Sequence, residues 1–151
     1  MPDNKKNILN IGAGEKPMEE AMNIDILDLP GINKVCDVRY GLTFDNNSFD
    51  EVYADYVLCQ IGETEHFIKA MNEVWRVLKP GGLFHIKVPD ARFPASFQDP
   101  MDCRYFVAET FDYFDKDHYR FQKFHYNFKP WIIVSVENER EDRLYAILKK
   151  P

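Results

Sequence analysis

An open α/β sheet, mostly parallel and finished by an antiparallel C-terminal hairpin, is the fold that three features of the 151-residue sequence predict. Two short apolar strand patterns, Ile8–Ile11 and Asn23–Ile26, flank a Gly12-Ala-Gly14 turn, and the second carries Asp25. An amphipathic helical stripe lies between two further strand patterns. Two strand patterns close the chain, separated by a short charged stretch. The first feature is the form of a nucleoside site: glycines let backbone approach a ligand, and a carboxylate at the end of the next strand accepts hydrogen bonds from a ribose diol.

The elements follow in order. Ile8–Ile11 reads as a central strand, because parallel neighbours would bury both its faces. Pro17 suits a first helical position, so Pro17–Met22 is expected to form one or two turns of helix. Asn23–Ile26 is the second strand, Leu29-Pro-Gly-Ile32 a turn, and Lys34–Val38 a third strand ending near Asp37. Gly41–Asn47 is loop and Phe49–Ala54 a fourth strand. Phe67, Ala70, Met71, Val74 and Leu78 then recur at helical spacing, with Thr64 as the expected N-cap. Lys79-Pro-Gly-Gly82 stops that helix, Leu83–Val88 is a fifth strand, and Pro89-Asp90 closes it. Residues 91–129 hold twelve aromatic side chains without a clean period and read as a lid or insert. Trp131–Val136 and Arg143–Leu148 form the hairpin, with Glu137–Asp142 as its turn.

Composition narrows the function. With 45% hydrophobic residues in a chain of this length, one domain over residues 1–151 can bury a substantial core. A net charge of −6 argues against a general polyanion binder. Lys116–Lys129 nevertheless interleaves basic and aromatic residues, as single-strand binders do, so nucleic acid is an unlikely partner and not an excluded one. Cys36, Cys59 and Cys103 lack metal-ligand spacing and read as reduced thiols in a cytoplasmic protein, with no metal site. No 18-residue apolar run and no signal-type N-terminal segment occur, so no membrane partner is expected.

Four motifs resemble those of class I S-adenosylmethionine (SAM)-dependent methyltransferases, in particular the small type-11 methyltransferases. They are Ile8-Leu-Asn-Ile-Gly-Ala-Gly-Glu-Lys-Pro17, Asn23-Ile-Asp25, Phe44-Asp-Asn-Asn-Ser-Phe-Asp-Glu-Val52 and Glu73-Val-Trp-Arg-Val-Leu-Lys-Pro-Gly-Gly82. The resemblance extends from Ile8 to about Lys149. It implies a Rossmann-like sheet of seven strands with one reversed, here with reduced helices between strands one and three. It also implies SAM as cofactor and S-adenosylhomocysteine (SAH) as product. Carried over by position, Gly12, Ala13 and Gly14 would meet the methionyl and ribose parts through the backbone. Asp25 would hold the ribose hydroxyls, Asp37 would approach the adenine amino group beside Val38 and Arg39, and Tyr56 would lie near the methyl group. An NAD site is the competing reading, but it wants a third glycine and an acid about 20 residues on. Lys16 and the early Asp25 meet neither condition.

The chain also departs from that pattern. Where family members often have a Glu-His pair, Tyr56-Val-Leu-Cys-Gln-Ile61 has Cys59 and Gln60. A histidine common after Asp-Pro in one subgroup is Asp102. The resemblance therefore implies a methyltransferase acting on a small or medium-sized acceptor, with Asp90, Glu109, His118 and His125 as candidate catalytic groups. The alternative is a SAM- or SAH-binding protein without turnover, or the partner subunit of a methyltransferase complex. Because the linkers between the first three strands are short, one sheet face lacks its helices. It should be covered by the aromatic segment or by a second copy of the chain.

Overall fold

The structure is a computed structural model that describes residues 4–140 and 142–151. Seven strands form one sheet: β1 (Ile8–Ile11), β2 (Met22–Asp25), β3 (Lys34–Val35), β4 (Phe49–Asp55), β5 (Leu78–Pro89), β6 (Ile132–Arg140) and β7 (Arg143–Lys149). Their spatial order is β3-β2-β1-β4-β5-β7-β6, with β7 antiparallel to both neighbours and the other pairings parallel. The long helix α1 (Thr64–Val77) connects β4 to β5, and a short α2 (Tyr119–Lys123) lies in the aromatic segment. Among the described residues no helix is long and apolar enough to cross a membrane.

The two most specific motifs hold one another. Glu73 and Arg76, three apart on α1, form a bidentate pair. Arg76 also donates to the Leu42 and Phe44 carbonyls and to Asn46, while Glu73 accepts from the Leu42 amide. One arginine fork thus orders the loop that feeds β4.

Several expected elements differ. Pro17–Met22 forms no helix, because the Asn23 side chain takes up the Met18 amide and the Met18 and Ala21 carbonyls; a stretch this short cannot outcompete such bonds. The third strand stops at Val35, because the Asp37 carboxylate caps a 3₁₀ turn over Val38–Tyr40. Glu63, not Thr64, precedes the first turn of α1, and Leu78 has left the helix to pair with Phe49. Strand β6 runs on through Glu137–Arg140, which the sequence suggests as turn; Glu141 lies outside the described residues.

The sheet has two unlike faces. Val52, Ala54, Phe84, Ile86, Val88, Leu144, Ala146 and Leu148 are buried on the face that α1 covers. The aromatic segment packs on this same face: Phe67 of α1 meets Phe106, Phe114 and Phe128, and Trp131 meets Phe84. The expectation that this segment covers the bared face is thereby corrected. The opposite face carries a polar and aromatic ladder. Tyr53 stacks on His85 at 4.2 Å, His85 Nδ1 lies 2.5 Å from the Tyr145 hydroxyl, and Glu51 accepts from Lys6 and Tyr53. Cross-strand pairs of this kind make the face tolerant of water, as in half-solvated antiparallel sheets.

Glu51 and His85 are each only 7% exposed. Burial pushes the His85 imidazole below its usual value, against the attraction of Glu51. The unfolded chain therefore takes up that proton first. Stability is full above about pH 6.5 and declines as pH falls through the folded-state value. Thermal melts at pH 7.5 and 5.5 should show a drop in Tm on acidification that is reduced in His85→Phe, which keeps the stack on Tyr53. An equal drop in both proteins would refute the assignment.

Candidate functional site

The site is assembled at the carboxyl ends of β1, β2 and β4 and just beyond β3, where open α/β sheets place ligands. A cavity of about 410 Å³ opens there, within the size range of small-ligand pockets. Its lining includes Ile11 and Gly12 after β1, Asp25 to Leu27 after β2, Cys36 to Arg39, Asp55 to Val57, Gln60, Ile61 and Met101.

The glycine turn is shaped by two contacts. Gly12 has φ +67°, and a Cβ built there would stand 2.4 Å from Val57 Cγ2. Only glycine lets the turn and the loop after β4 close to this distance. Asp25 braces the turn from the other side: its carboxylate accepts from the Gly14 amide and from the Leu27 amide, each at 2.9 Å. Each carboxylate oxygen keeps a lone pair for a hydroxyl, so the brace and the ribose role are compatible.

Asp37 is also engaged. It accepts from the Arg39 amide, and its two oxygens take Nε and Nη2 of the same guanidinium. That hydrogen bonding, working against burial, holds its carboxyl below the usual carboxylate range. The pair offers the cavity no net charge, which suits a neutral adenine. Tyr56 stands at the end of β4 with φ +56°, its amide donating to the Lys87 carbonyl. Left-handed backbone is costly for a non-glycine residue and gathers at functional sites. The Arg143 guanidinium lies 5.7 Å from its ring centroid.

Of the residues singled out from the sequence, Gly12, Asp25, Asp37, Val38 and Tyr56 line the one cavity, with Arg39 beside them. Ala13 and Gly14 sit immediately behind: the Ala13 amide donates to the Ile24 carbonyl and the Gly14 amide to Asp25. The candidate catalytic groups are not brought together. Asp90 is fully buried, with its carboxylate taken by Arg92 and Asn138, so it is corrected from a reactive candidate to a structural anchor. His118 accepts the Arg120 amide at the start of α2 and faces Asp112, while Glu109 and His125 are exposed. None of the four lines the cavity. The cavity also takes Asp55, Val57, Ile61 and Met101, which the sequence does not single out. An Asp-x-Arg spacing after a strand, present in both Asp37-Val-Arg39 and Asp90-Ala-Arg92, was the available signal that these two aspartates are paired.

The two departures from the family pattern meet in space. The Cys59 thiol is 1% exposed and outside the cavity lining, and burial, reinforced by the neighbouring Asp102 carboxylate, pushes it up. Of the two replaced positions after β4, only Gln60 reaches the cavity.

An open sheet with reversed β7, a glycine turn at the end of β1 and an acidic β2 terminus together define a nucleoside-binding α/β domain. Residues 13–86 match the family model described as a methyltransferase domain, and this match together with the fold supports a class I, SAM-dependent methyltransferase. No curated protein matches the sequence significantly. Among solved structures, a SAM-dependent methyltransferase from Methanosarcina mazei superposes with a TM-score of 0.67 at 18% identity, over 97% of this chain and 92% of its own. The 1,6-didemethyltoxoflavin-N1-methyltransferase of Burkholderia thailandensis, with that substrate and SAH bound, gives 0.68 at 14% identity over 96% and 71%. A chain from a Haloferax volcanii complex containing the Trm112 methyltransferase activator gives 0.63 at 12% identity over 97% and 83%. Similarity at these identities is a likeness of fold.

Proposed function

We propose that this chain transfers a methyl group from SAM to a small or medium-sized acceptor. The carrying observation is the convergence of Gly12, Asp25, Asp37, Val38 and Tyr56 on one cavity. In this reading Gly12, Ala13 and Gly14 present backbone to the methionyl and ribose parts, and Asp25 holds the diol. Val38 and the Asp37–Arg39 pair enclose the adenine. SAM supplies a methyl group made electrophilic by its sulfonium sulfur. The protein's main task is then alignment of the acceptor at about 3–3.5 Å, with a base if the acceptor carries a proton.

Asp25 is occupied by backbone amides and Asp37 by an arginine, whereas Asp55 has, among the described residues, only Lys87 at 3.8 Å. Asp55 is therefore the cavity carboxylate freest to meet an acceptor as its base, with Tyr56 orienting that acceptor. The Burkholderia neighbour, with 1,6-didemethyltoxoflavin bound, supports a small-molecule acceptor. The three free thiols support a cytoplasmic setting. The ladder of β4, β5 and β7, on the sheet face that no helix covers, supports a homodimer, and a sedimenting 17.8 kDa monomer at high micromolar concentration would refute that part. The domain is read as residues 1–151 with 91–129 as its insert.

The test is transfer of labelled methyl from SAM to a small-molecule extract, read by mass spectrometry. Asp55→Asn should lower transfer about 100-fold or more, a scale typical of a lost general base, with SAM affinity within about threefold. Transfer unchanged in that variant would remove Asp55 from the mechanism. The second reading is SAM binding without turnover, as a partner subunit. The absence of Glu109, His118 and His125 from the cavity favours it, and the Trm112-containing relative is a precedent for assembly. SAM binding with no labelled product, recovered only on adding a second protein, would select it.

A further inference from the structure

The stretch after β5 is tied to the loop after β4 more tightly than chain connectivity requires. The amides of Cys103 and Arg104 both donate to the Cys59 carbonyl at 2.9 Å. The Arg104 guanidinium donates to the Ile61 carbonyl at 2.8 Å and the Gly62 carbonyl at 3.1 Å. It lies 4.1 Å from the ring centroid of Phe67, in the first turns of α1. No carboxylate pairs with Arg104 among the described residues, although burial works against its charge. A guanidinium held only by carbonyls and a ring face is an expensive arrangement unless its geometry is needed. A Cβ at Gly62 would come within 3.1 Å of Cys103 Sγ, so the sequence at both ends permits the approach.

This tie has a direct bearing on the cavity. Its loop side supplies Val57, Gln60 and Ile61 to the lining, and its other side supplies Met101, three residues before Arg104. We propose that Arg104 is a positioning residue that fixes this wall of the cofactor cavity by locking residues 101–104 onto the Cys59–Gly62 carbonyls. The inference rests on the cavity being the SAM site. Arg104 touches neither cofactor nor acceptor and acts through Met101, Gln60 and Ile61. Its planar fork reaches two successive carbonyls at once, which a lysine cannot do.

Hydrogen exchange and calorimetry with SAH test this on the full chain. In wild type the Cys103 and Arg104 amides should be protected. Arg104→Met keeps an unbranched apolar side chain but no donors, and should raise their exchange about tenfold or more and weaken SAH about three- to tenfold. Arg104→Lys should behave like Arg104→Met. Leu148→Val, a core change in β7, is the control for general destabilisation and should leave both readouts near wild type. Unchanged exchange in Arg104→Met, wild-type SAH affinity despite faster exchange, full retention by Arg104→Lys, or an equal loss in Leu148→Val would each overturn the proposal. Failure of wild type to bind SAH would count against the cavity as a cofactor site and overturn the part of the proposal built on it. The exchange comparison would still judge the tie itself.

Discussion

Asp25→Ala is expected to weaken SAM by about 100-fold or more in calorimetry. A carboxylate that accepts hydrogen bonds contributes on the order of 1.5–3 kcal/mol per bond, and each 1.4 kcal/mol is tenfold. Two effects act together in this variant. The ribose hydroxyls lose their acceptor, and the Gly14 and Leu27 amides lose the group that braces the turn. Asp25→Asn separates them, since an amide oxygen still accepts one of these bonds while its NH₂ cannot replace the other. It should fall between wild type and alanine. Equal affinity in wild type and Asp25→Ala would mean that the ligand sits elsewhere.

The second large effect belongs to Gly12→Ala. A left-handed residue with a Cβ costs about 1–2 kcal/mol, and overpacking against Val57 adds roughly 1–3 kcal/mol. For a chain of this size the sum corresponds to a Tm loss on the order of 5–15 °C. SAM binding should fall with it, because relief requires the turn or the loop after β4 to move, and both line the cavity. The Val57→Ala background removes the clashing Cγ2 while leaving the positive φ. The double variant should therefore recover part of the stability lost in Gly12→Ala, a coupling that independent sites would not show. Strict additivity would mean that the 2.4 Å approach is not the source of the loss.

What the sequence made legible follows the range of the interactions involved. Gly12, Asp25 and the strands around them are local: the turn, its bracing acid and their parallel pairing lie within about 18 residues. Glu73 and Arg76 were legible as a motif, although their hold on Leu42 and Phe44 was not, because 31–34 residues separate the partners. Asp90 was misread because an aspartate after Pro89 has the same sequence appearance whether it faces a ligand or an arginine. Its neighbours Arg92 and Asn138 decide the matter, and the second lies 48 residues away. His118 and Glu109 were chosen for their chemistry in a segment without a period. Where that segment lies depends on ring packing among Phe67, Phe106 and Phe114, which no local pattern encodes. The helix expected at Pro17–Met22 failed for a nearer reason, the Asn23 side chain, whose competition with a short helix is not visible in propensity alone.

The ladder on the open sheet face has a consequence for how copies of this chain can meet. A sheet usually associates through its edges, where unpaired amides and carbonyls recruit another strand. Here one edge, β3, is two residues long, and the other, β6, has two irregularities in register and carries Glu137, Glu139 and Arg140 along its outer half. Both edges are poor templates for strand addition. In the proposed homodimer, contact would thereby be directed away from backbone pairing and toward side chains, with the half-buried Tyr53 and Tyr145 over the buried His85 and Lys6, Asp55 and Lys87 around them. Contacts of that kind are set by charge and ring geometry, so they can be specific and reversible where an edge-to-edge sheet would grow without limit.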